Sequence, residues 1–140
     1  MDQQVGEILS QLEEDGLAEN TIIIFYSDHG AGVPRYKRWL YDTGLHVPVI
    51  VKIPPKYRHL IPYTMGERVD EWVSFIDLPP TALTLAGVPI PANMEGRAFL
   101  GNDLNAPRTY IFAGRDRMDE RNDMQRAVRN KRFKYIRYYE

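Results

Sequence analysis

The stretch Thr21-Ile22-Ile23-Ile24-Phe25-Tyr26, followed at once by Ser27-Asp28-His29-Gly30, predicts the fold of this chain more strongly than any other segment. The first six residues are apolar, β-branched or aromatic and do not alternate with charged residues, which is typical of a strand covered on both faces, as in a parallel sheet. A carboxylate and an imidazole then follow where the strand ends. Because ligand and metal sites of open α/β sheets lie at the carboxyl ends of strands, Asp28 and His29 are the first candidate site residues.

The neighbouring segments predict an α/β core around that strand. Apolar residues at helical spacing, capped by Asp2, predict a helix over the first turns of the chain. The run Val47-Pro48-Val49-Ile50-Val51 predicts a second strand, and residues 72–76 predict a short third one. Asp77 is then placed to cap a helix that carries two prolines in its first turn and stops at Gly87. We therefore expect an α/β unit over residues 1–105.

The last part of the chain changes character. Residues 109–113 predict a strand, and residues 124–128 and 133–138 predict a hairpin that turns at Asn130-Lys131. We expect a small antiparallel C-terminal subdomain over residues 106–140, attached to the α/β unit.

The charge of the chain is unevenly distributed. The net charge is -1, but residues 108–140 carry ten Lys and Arg against five Asp and Glu. Two interpretations are open: the basic end meets an anionic substrate, or it is a solvated, twisted hairpin. Nucleic acid is not an expected partner, because the basic residues are interleaved with Asp116, Asp119, Glu120 and Asp123.

Composition excludes several classes of site. The chain has no cysteine, so it forms no disulfide and offers neither a thiolate ligand nor a Cys nucleophile. No apolar run approaches the roughly 20 residues that a membrane span needs. Met1-Asp2-Gln3-Gln4 lacks the basic and apolar regions of a signal peptide, although a signal on a longer parent chain would not be visible here.

The candidate site residues each have a plain structural alternative. Asp28 and His29 could be a turn cap and a loop residue, and Lys37 could be solvated surface. His46 could reach an anion or point to solvent. Arg115 and Arg117 could form a fork onto an anionic sugar substituent, or belong to a local ion-pair loop.

Together, these segments resemble the C-terminal part of the sulfatase family, within the alkaline-phosphatase-like superfamily. The resemblance covers nearly the whole chain, and its pieces follow the family's order. They are Val5-Gly6 to Leu12 with Leu17-Ala18-Glu19-Asn20-Thr21, Ser27-Asp28-His29-Gly30, Lys37 through Tyr41 with Gly44 and Pro48, Asp77-Leu78-Pro79-Pro80-Thr81 with Leu85-Ala86-Gly87, Glu95-Gly96-Arg97, and Arg126-Ala127-Val128-Arg129 with Lys134-Tyr135-Ile136. The segment from Gly114 to Glu120 is similar to the heparan N-sulfatase-like branch and related glycan-acting branches.

The resemblance implies a fold, a metal and an activity. The fold is part of an alkaline-phosphatase-like, mostly parallel sheet with flanking helices. Asp28 and His29 match the second pair of Ca²⁺ ligands, and Lys37 matches the lysine that binds the sulfate and the leaving-group oxygen. The implied substrate is a sulfated carbohydrate or another sulfate ester. The implied nucleophile is a formylglycine made from Cys or Ser in a Cys/Ser-x-Pro-x-Arg motif.

This chain departs from the family pattern in two decisive respects. None of Ser10, Ser27 and Ser74 begins a Ser-x-Pro-x-Arg motif, and the N-terminal Asp-Asp calcium pair is absent. We therefore expect the C-terminal fragment of a longer enzyme, inactive alone and prone to self-association. The alternatives are a related phosphodiesterase or phosphonate hydrolase, and a non-catalytic module that binds a glycan or a partner. A periplasmic, secreted or lysosomal-type compartment suits the parent enzyme, but the sequence does not select one.

Overall fold

The computed structural model describes residues 1–102 and 104–139. Their helices are α1 (Asp2–Glu14), α2 (Asp42–Leu45) and α3 (Leu78–Leu85), and their strands are β1 (Ile23–Tyr26), β2 (Val49–Lys52), β3 (Ile111–Met118), β4 (Arg121–Arg129) and β5 (Lys134–Tyr139). The strands form a two-stranded sheet, β1-β2, and a three-stranded sheet in the order β3-β4-β5. Short 3-10 turns lie at Ala18–Asn20, Pro55–Leu60 and Phe75–Asp77. The chain is thus a mixed helix and strand structure, as the sequence predicted.

The first helix forms where the apolar spacing predicted it. α1 begins at Asp2, and Met1 rather than Asp2 is its N-cap residue, so the predicted cap was wrong by one position. Asp2 lies instead in the first helical turn, where its carboxylate interacts favourably with the helix dipole. The helix ends at Glu14, and Gly16 adopts a φ of 69°, a conformation that glycine reaches without steric cost.

The predicted parallel sheet is not formed by the strands within residues 1–102 and 104–139. β1 and β2 pair antiparallel, with Ile23 opposite Lys52 and Tyr26 opposite Val49. The reason is the connection between them: the segment after β1 returns to the same end of the sheet, whereas a parallel pair needs a crossover to the opposite end. Phe25 and Tyr26 remain partly exposed, so the described residues do not cover β1 on both faces.

The strand predicted over residues 72–76 was also wrong. Phe75–Asp77 is a 3-10 turn, and Ser74 is its N-cap residue in a reciprocal capping box with Asp77. The backbone N–H of Ser74 donates to Asp77 Oδ2 over 2.8 Å. This bond directs the chain into the turn and then into α3, so the N–H that a strand would use for pairing is already satisfied.

Asp77 is a buried carboxylate whose two oxygens accept hydrogen bonds from three other residues. It is 2% exposed and occupies the predicted N-cap position of α3, although its carboxylate makes no capping hydrogen bond to that helix. Its Oδ1 accepts the backbone N–H of Arg97 over 2.7 Å, and its Oδ2 accepts Nε of Arg108 over 2.8 Å. A second guanidinium nitrogen of Arg108 also donates to Oδ1. The carboxylate therefore ties the start of α3 to two later segments of the chain.

These contacts lower the pKa of Asp77. Burial acts to raise it, but the hydrogen bond from Arg108 and those from the backbone of Arg97 and Ser74 outweigh burial. A carboxyl group whose folded-state pKa is below its unfolded value, about 3.9, stabilises the fold fully above that pH. The contribution is lost as the pH falls through the folded-state pKa.

The buried core is small, and its largest fully buried side chains lie at the start of α3. Thr81 is fully buried; its hydroxyl donates to the Asp77 carbonyl over 2.6 Å and accepts the Phe99 N–H over 3.1 Å. These bonds hold the segment that carries the buried side chains of Ala98 and Leu100 against the helix. Gly101 then donates its N–H to the Leu60 carbonyl over 2.8 Å, which joins the same segment to the Pro55–Leu60 turn.

The C-terminal sheet confirms the predicted hairpin and extends it. β4 and β5 pair antiparallel from Met124 opposite Tyr139 to Arg129 opposite Lys134. Asn130 closes the turn, since its side-chain oxygen accepts the N–H groups of residues 132 and 133. β3 pairs with the other edge of β4 and shifts register between Arg115 and Arg117. The predicted strand over 109–113 thus overlaps the start of a longer strand that begins at Ile111.

Large apolar side chains remain exposed on both sheets. Ile50 is 61% exposed on β2, and Phe112 is 70% exposed on β3. Such exposure on a chain of this size favours association with another protein surface, and self-association stays a prediction. In the ranges 1–102 and 104–139, no helix is both long and apolar enough to cross a membrane.

Asp77→Ala is expected to lower the free energy of unfolding by about 3–5 kcal/mol, because it leaves Arg108 without its partner in a largely buried site. Urea denaturation at pH 7 measures the change. Asp70→Ala is the matched control, because Asp70 and Arg68 form a 3.7 Å ion pair that is more than four-fifths exposed. The control is expected to change stability by less than about 0.5 kcal/mol. Equal effects of the two substitutions would contradict the role given to Asp77.

Candidate functional site

The candidate site begins where β1 ends. Ser27 continues the pairing of the two strands, since its N–H donates to the Pro48 carbonyl over 3.4 Å. Its hydroxyl donates to the His29 carbonyl over 2.7 Å, which turns the backbone away from the sheet. Asp28 lies between them with a side chain that is 79% exposed. The predicted carboxylate is therefore presented at the strand end, open to a ligand.

The imidazole of His29 has a defined orientation. Its Nδ1 lies 2.7 Å from the Gly30 carbonyl oxygen, an acceptor, so Nδ1 carries the proton in this contact. In the neutral ring, Nε2 then holds a lone pair, and it lies 3.3 Å from Oδ2 of Asp28. Two electron-pair donors thus face each other, an arrangement that a proton or a cation between them stabilises.

A loop of residues 30–44, here called the Lys37 loop, follows His29 and closes on itself. The N–H of Gly30 donates to the carbonyl of Gly44 over 3.2 Å. A β-carbon on Gly30 would overlap the Thr43 carbonyl oxygen, and one on Gly44 would overlap the carbonyls of Trp39 and Tyr36. The two glycines are therefore required by close backbone approach, which fixes the base of the loop.

Lys37 lies within this loop. Its backbone N–H donates to the Ala31 carbonyl over 3.0 Å, which places the Lys37 backbone against the segment that follows the Asp28-His29 pair. The residue is exposed, as a group that meets a substrate must be. That its side chain approaches Asp28 stays a prediction.

His46 lies at the same end of the β1-β2 sheet. It is the C-cap residue of α2, and its N–H donates to the Asp42 carbonyl over 2.7 Å. Its side chain is exposed before β2 begins, so both interpretations of this histidine, an anion ligand or a solvated residue, stay open.

The two tail arginines occupy very different environments. Arg115 is 8% exposed; one Nη donates to the Arg38 carbonyl over 2.8 Å, and the other contacts the carboxylate of Asp123. Its buried Nε has no hydrogen-bond partner among the described residues. Arg117 is exposed and lies opposite Asn122. Substrate binding by either arginine stays a prediction, and for Arg115 only Nε is uncommitted.

Sequence reasoning missed three residues that shape the site: Trp39, Tyr41 and Asp42. The Trp39 and Tyr41 rings stack with centroids 5.6 Å apart. Asp42 accepts Lys134 Nζ and Arg129 Nη1, each over 2.5 Å. Burial acts to raise the pKa of Asp42, but the hydrogen bond and charge of Lys134, with Arg129, lower it. Arg129 and Lys134 lie about 90 residues from Asp42 in the C-terminal sheet, so no local pattern identifies their contacts with it.

The Asp28-His29 pair supplies only part of the donor set that a divalent cation needs. Ca²⁺ takes about six to eight oxygen ligands, and here one carboxylate converges with one imidazole nitrogen. Residues 1–102 and 104–139 contain no group of three or more His, Cys, Asp or Glu placed to hold a metal ion. The pair therefore fits one part of a calcium site and does not complete it.

Comparison with known proteins identifies the family. A family model described as Sulfatase matches residues 1–88, and an ulvan-active sulfatase from Formosa agariphila is 50% identical over 99% of this chain. The chain belongs to the sulfatase family. Arylsulfatase K from Bos taurus is 35% identical over 71% of the chain, and the human arylsulfatase K is 34% identical over the same share. None of these relatives bears a heparan N-sulfatase name, and that narrower placement is not confirmed.

The chain is much shorter than these sulfatases. It spans 22% of the length of the ulvan-active sulfatase and 18% of that of either arylsulfatase K. The activity and substrates of these relatives therefore belong to proteins about five times as long as this chain.

Gly44→Ala is expected to lower the free energy of unfolding by about 1–3 kcal/mol, because the added methyl group must displace two carbonyl groups at the base of the loop. Thermal denaturation measures it. Gly32→Ala is the matched control in the same loop, since nothing lies within 4 Å of a β-carbon there. A Gly44→Ala variant as stable as the Gly32→Ala variant would show that the close approach is not required.

Proposed function

We propose that this chain is the C-terminal part of a sulfatase that hydrolyses sulfate esters, with a sulfated carbohydrate as its substrate class. The observation that carries the proposal is the presentation of Asp28 and His29 at a strand end, directly before the loop that contains Lys37. The likeness to a relative named ulvan-active sulfatase supports a glycan substrate. Residues 1–105 would belong to the α/β core of the whole enzyme and residues 106–140 to its antiparallel subdomain.

The parallel sheet expected for an alkaline-phosphatase-like core is proposed for the whole enzyme. β1 is a strand of four residues whose register partner in this chain is β2. Its partly exposed faces suit a position inside a larger sheet, where further strands and helices would cover Phe25 and Tyr26. Those strands would come from parts of the enzyme that this chain does not contain.

Each proposed site residue has a distinct role. Asp28 and His29 would hold Ca²⁺, which when bound supplies charge stabilisation to the sulfate oxygens. Lys37 would place its ammonium group beside a sulfate oxygen and the leaving-group oxygen, where negative charge develops as the S–O bond breaks. His46, Arg115 and Arg117 are proposed to contact anionic groups of the substrate.

The nucleophile is proposed to be a formylglycine carried by another part of the enzyme. This chain has no cysteine, and none of its three serines begins the motif from which that residue is made. The chain by itself therefore positions and neutralises the sulfate group but does not attack it.

In a hybrid enzyme, in which this chain replaces the matching segment of the ulvan-active sulfatase, Lys37→Ala is expected to lower kcat/KM on an aryl sulfate by about 100- to 1000-fold. Lys131→Ala, at the exposed β4-β5 turn, is the matched control and is expected to leave kcat/KM unchanged. The 140-residue chain alone should show no turnover. Full activity of Lys37→Ala, or faster turnover of an aryl phosphodiester than of the aryl sulfate, would contradict the proposal.

Calcium binding by the 140-residue chain alone is expected to be weaker than about 1 mM, because two ligands are too few to replace the hydration shell of the ion. Calorimetric titration with CaCl₂ measures it, and Asp28→Asn is expected to remove whatever binding remains. Stoichiometric binding at micromolar concentration would show that the chain holds a complete calcium site of its own.

A further inference from the structure

The Lys37 loop contains two residues in a conformation that is unfavourable for their type. Arg35 and Arg38 flank Lys37 closely and have φ values of 68° and 71°. L-residues with side chains adopt this left-handed region at a cost, and they remain there only when surrounding contacts hold them. The contacts of these two arginines therefore show what sets the path of the loop.

Four side chains are linked by successive ring contacts at this loop. The Arg35 guanidinium lies 5.2 Å from the Tyr41 ring centroid, and Tyr41 stacks on Trp39 with the rings only 7° from parallel. The Arg115 guanidinium lies 4.7 Å from the Trp39 ring centroid. The contacts thus run from Arg35 to Tyr41, to Trp39 and to Arg115, and join two cations to two stacked rings. We call this group the arginine–aromatic column.

Arg115 contributes more than its place in the column. It lies on β3, outside the loop, and its Nη1 donates to the carbonyl of Arg38, one of the two left-handed residues. Asp123 on β4 holds the same guanidinium from the other side. The buried side chain of Arg115 therefore connects the C-terminal sheet to the backbone immediately after Lys37.

Both left-handed residues have a second anchor. The Thr43 hydroxyl donates to the Arg35 carbonyl over 2.5 Å, and the Arg38 side chain pairs with Asp119 at the β3-β4 turn. Arg35 is thus held by its contact with Tyr41 and by the Thr43 hydroxyl. Arg38 is held by Arg115 and by Asp119. The side chain of Lys37 itself is exposed between them.

We propose that Trp39 and Arg115 are positioning residues, which set the conformation of the Lys37 loop by joining it to the C-terminal sheet. They act through the backbone of Arg38 and through the column. The inference rests on the proposed function only in taking Lys37 as the group that meets the sulfate. The physical claim concerns the loop and is tested without any turnover.

Trypsin tests the claim, because the loop contains cleavage sites after Arg35, Lys37 and Arg38. The bonds after Arg35 and Lys37 are followed, since Trp39→Leu changes a residue of the bond after Arg38. Under native conditions, cleavage at a folded segment follows the population of its locally opened form. Trp39→Leu and Arg115→Gln are each expected to raise the cleavage rate at these two bonds by about tenfold, with the bond after the exposed Arg68 as internal reference. Mass spectrometry of early time points gives the rate at each bond.

Two matched variants separate positioning from general stability. Trp39→Phe keeps an aromatic ring in the column and is expected to retain slow cleavage after Arg35 and Lys37. Arg121→Gln removes an exposed arginine from the same sheet and is expected to leave the rate unchanged. Arg115→Lys is expected to behave like Arg115→Gln, because an ammonium group cannot stack and bond the Arg38 carbonyl and Asp123 in the fixed geometry of a guanidinium.

Two results would overturn the proposal. One is cleavage after Arg35 and Lys37 in Trp39→Leu at the rate of the unsubstituted chain. The other is an equal rise at the loop bonds and after Arg68, which would mean that the whole chain had loosened rather than the loop. Neither readout depends on Lys37 acting in catalysis, so failure of the positioning claim and failure of the proposed function are distinguishable.

Discussion

The pairing of buried Asp77 with Arg108 is the contact on which the arrangement of this chain depends. A carboxylate that is 2% exposed is tolerable only when its oxygens are fully bonded, and here two backbone N–H groups and a guanidinium satisfy them. The bonds reach from Ser74 to Arg108, so the start of α3, the segment that packs on it and the approach to the C-terminal sheet are fixed together. Apolar packing contributes less to holding these segments together, because few apolar side chains among the described residues are buried.

The same chemistry explains the uneven charge of the chain. Several basic residues of the C-terminal part point back toward the rest of the protein rather than toward solvent. Arg108 pairs with Asp77, and both Arg129 and Lys134 pair with Asp42. Part of the positive charge is thus used in docking the sheet, an outcome different from both interpretations that the composition left open, an anionic substrate or a solvated hairpin.

How far the sequence predicted this structure depended on how local each signal was. The start of α3 at Asp77, the stop at Gly87 and the hairpin at Asn130 were predicted because their causes lie within a few residues. The antiparallel pairing of β1 with β2 was not predicted, because an apolar run shows that a strand is buried but not which neighbour it pairs with. The sequence also nominated the Asp28-His29 pair and Lys37. It could not identify the column of Arg35, Tyr41, Trp39 and Arg115, whose last member lies 74 residues or more from the others.

The candidate site and the C-terminal sheet are therefore parts of one arrangement. Asp42 and the Arg38 carbonyl border the Lys37 loop, and both are held by basic side chains of β3, β4 or β5. Native-state hydrogen exchange over a series of low urea concentrations tests this coupling directly. The account predicts that the slowest amides of α3 and of β4 open with the same free energy, as one cooperative unit. Protection of α3 that survives while β4 exchanges freely would show that the sheet is only loosely attached, and would contradict it.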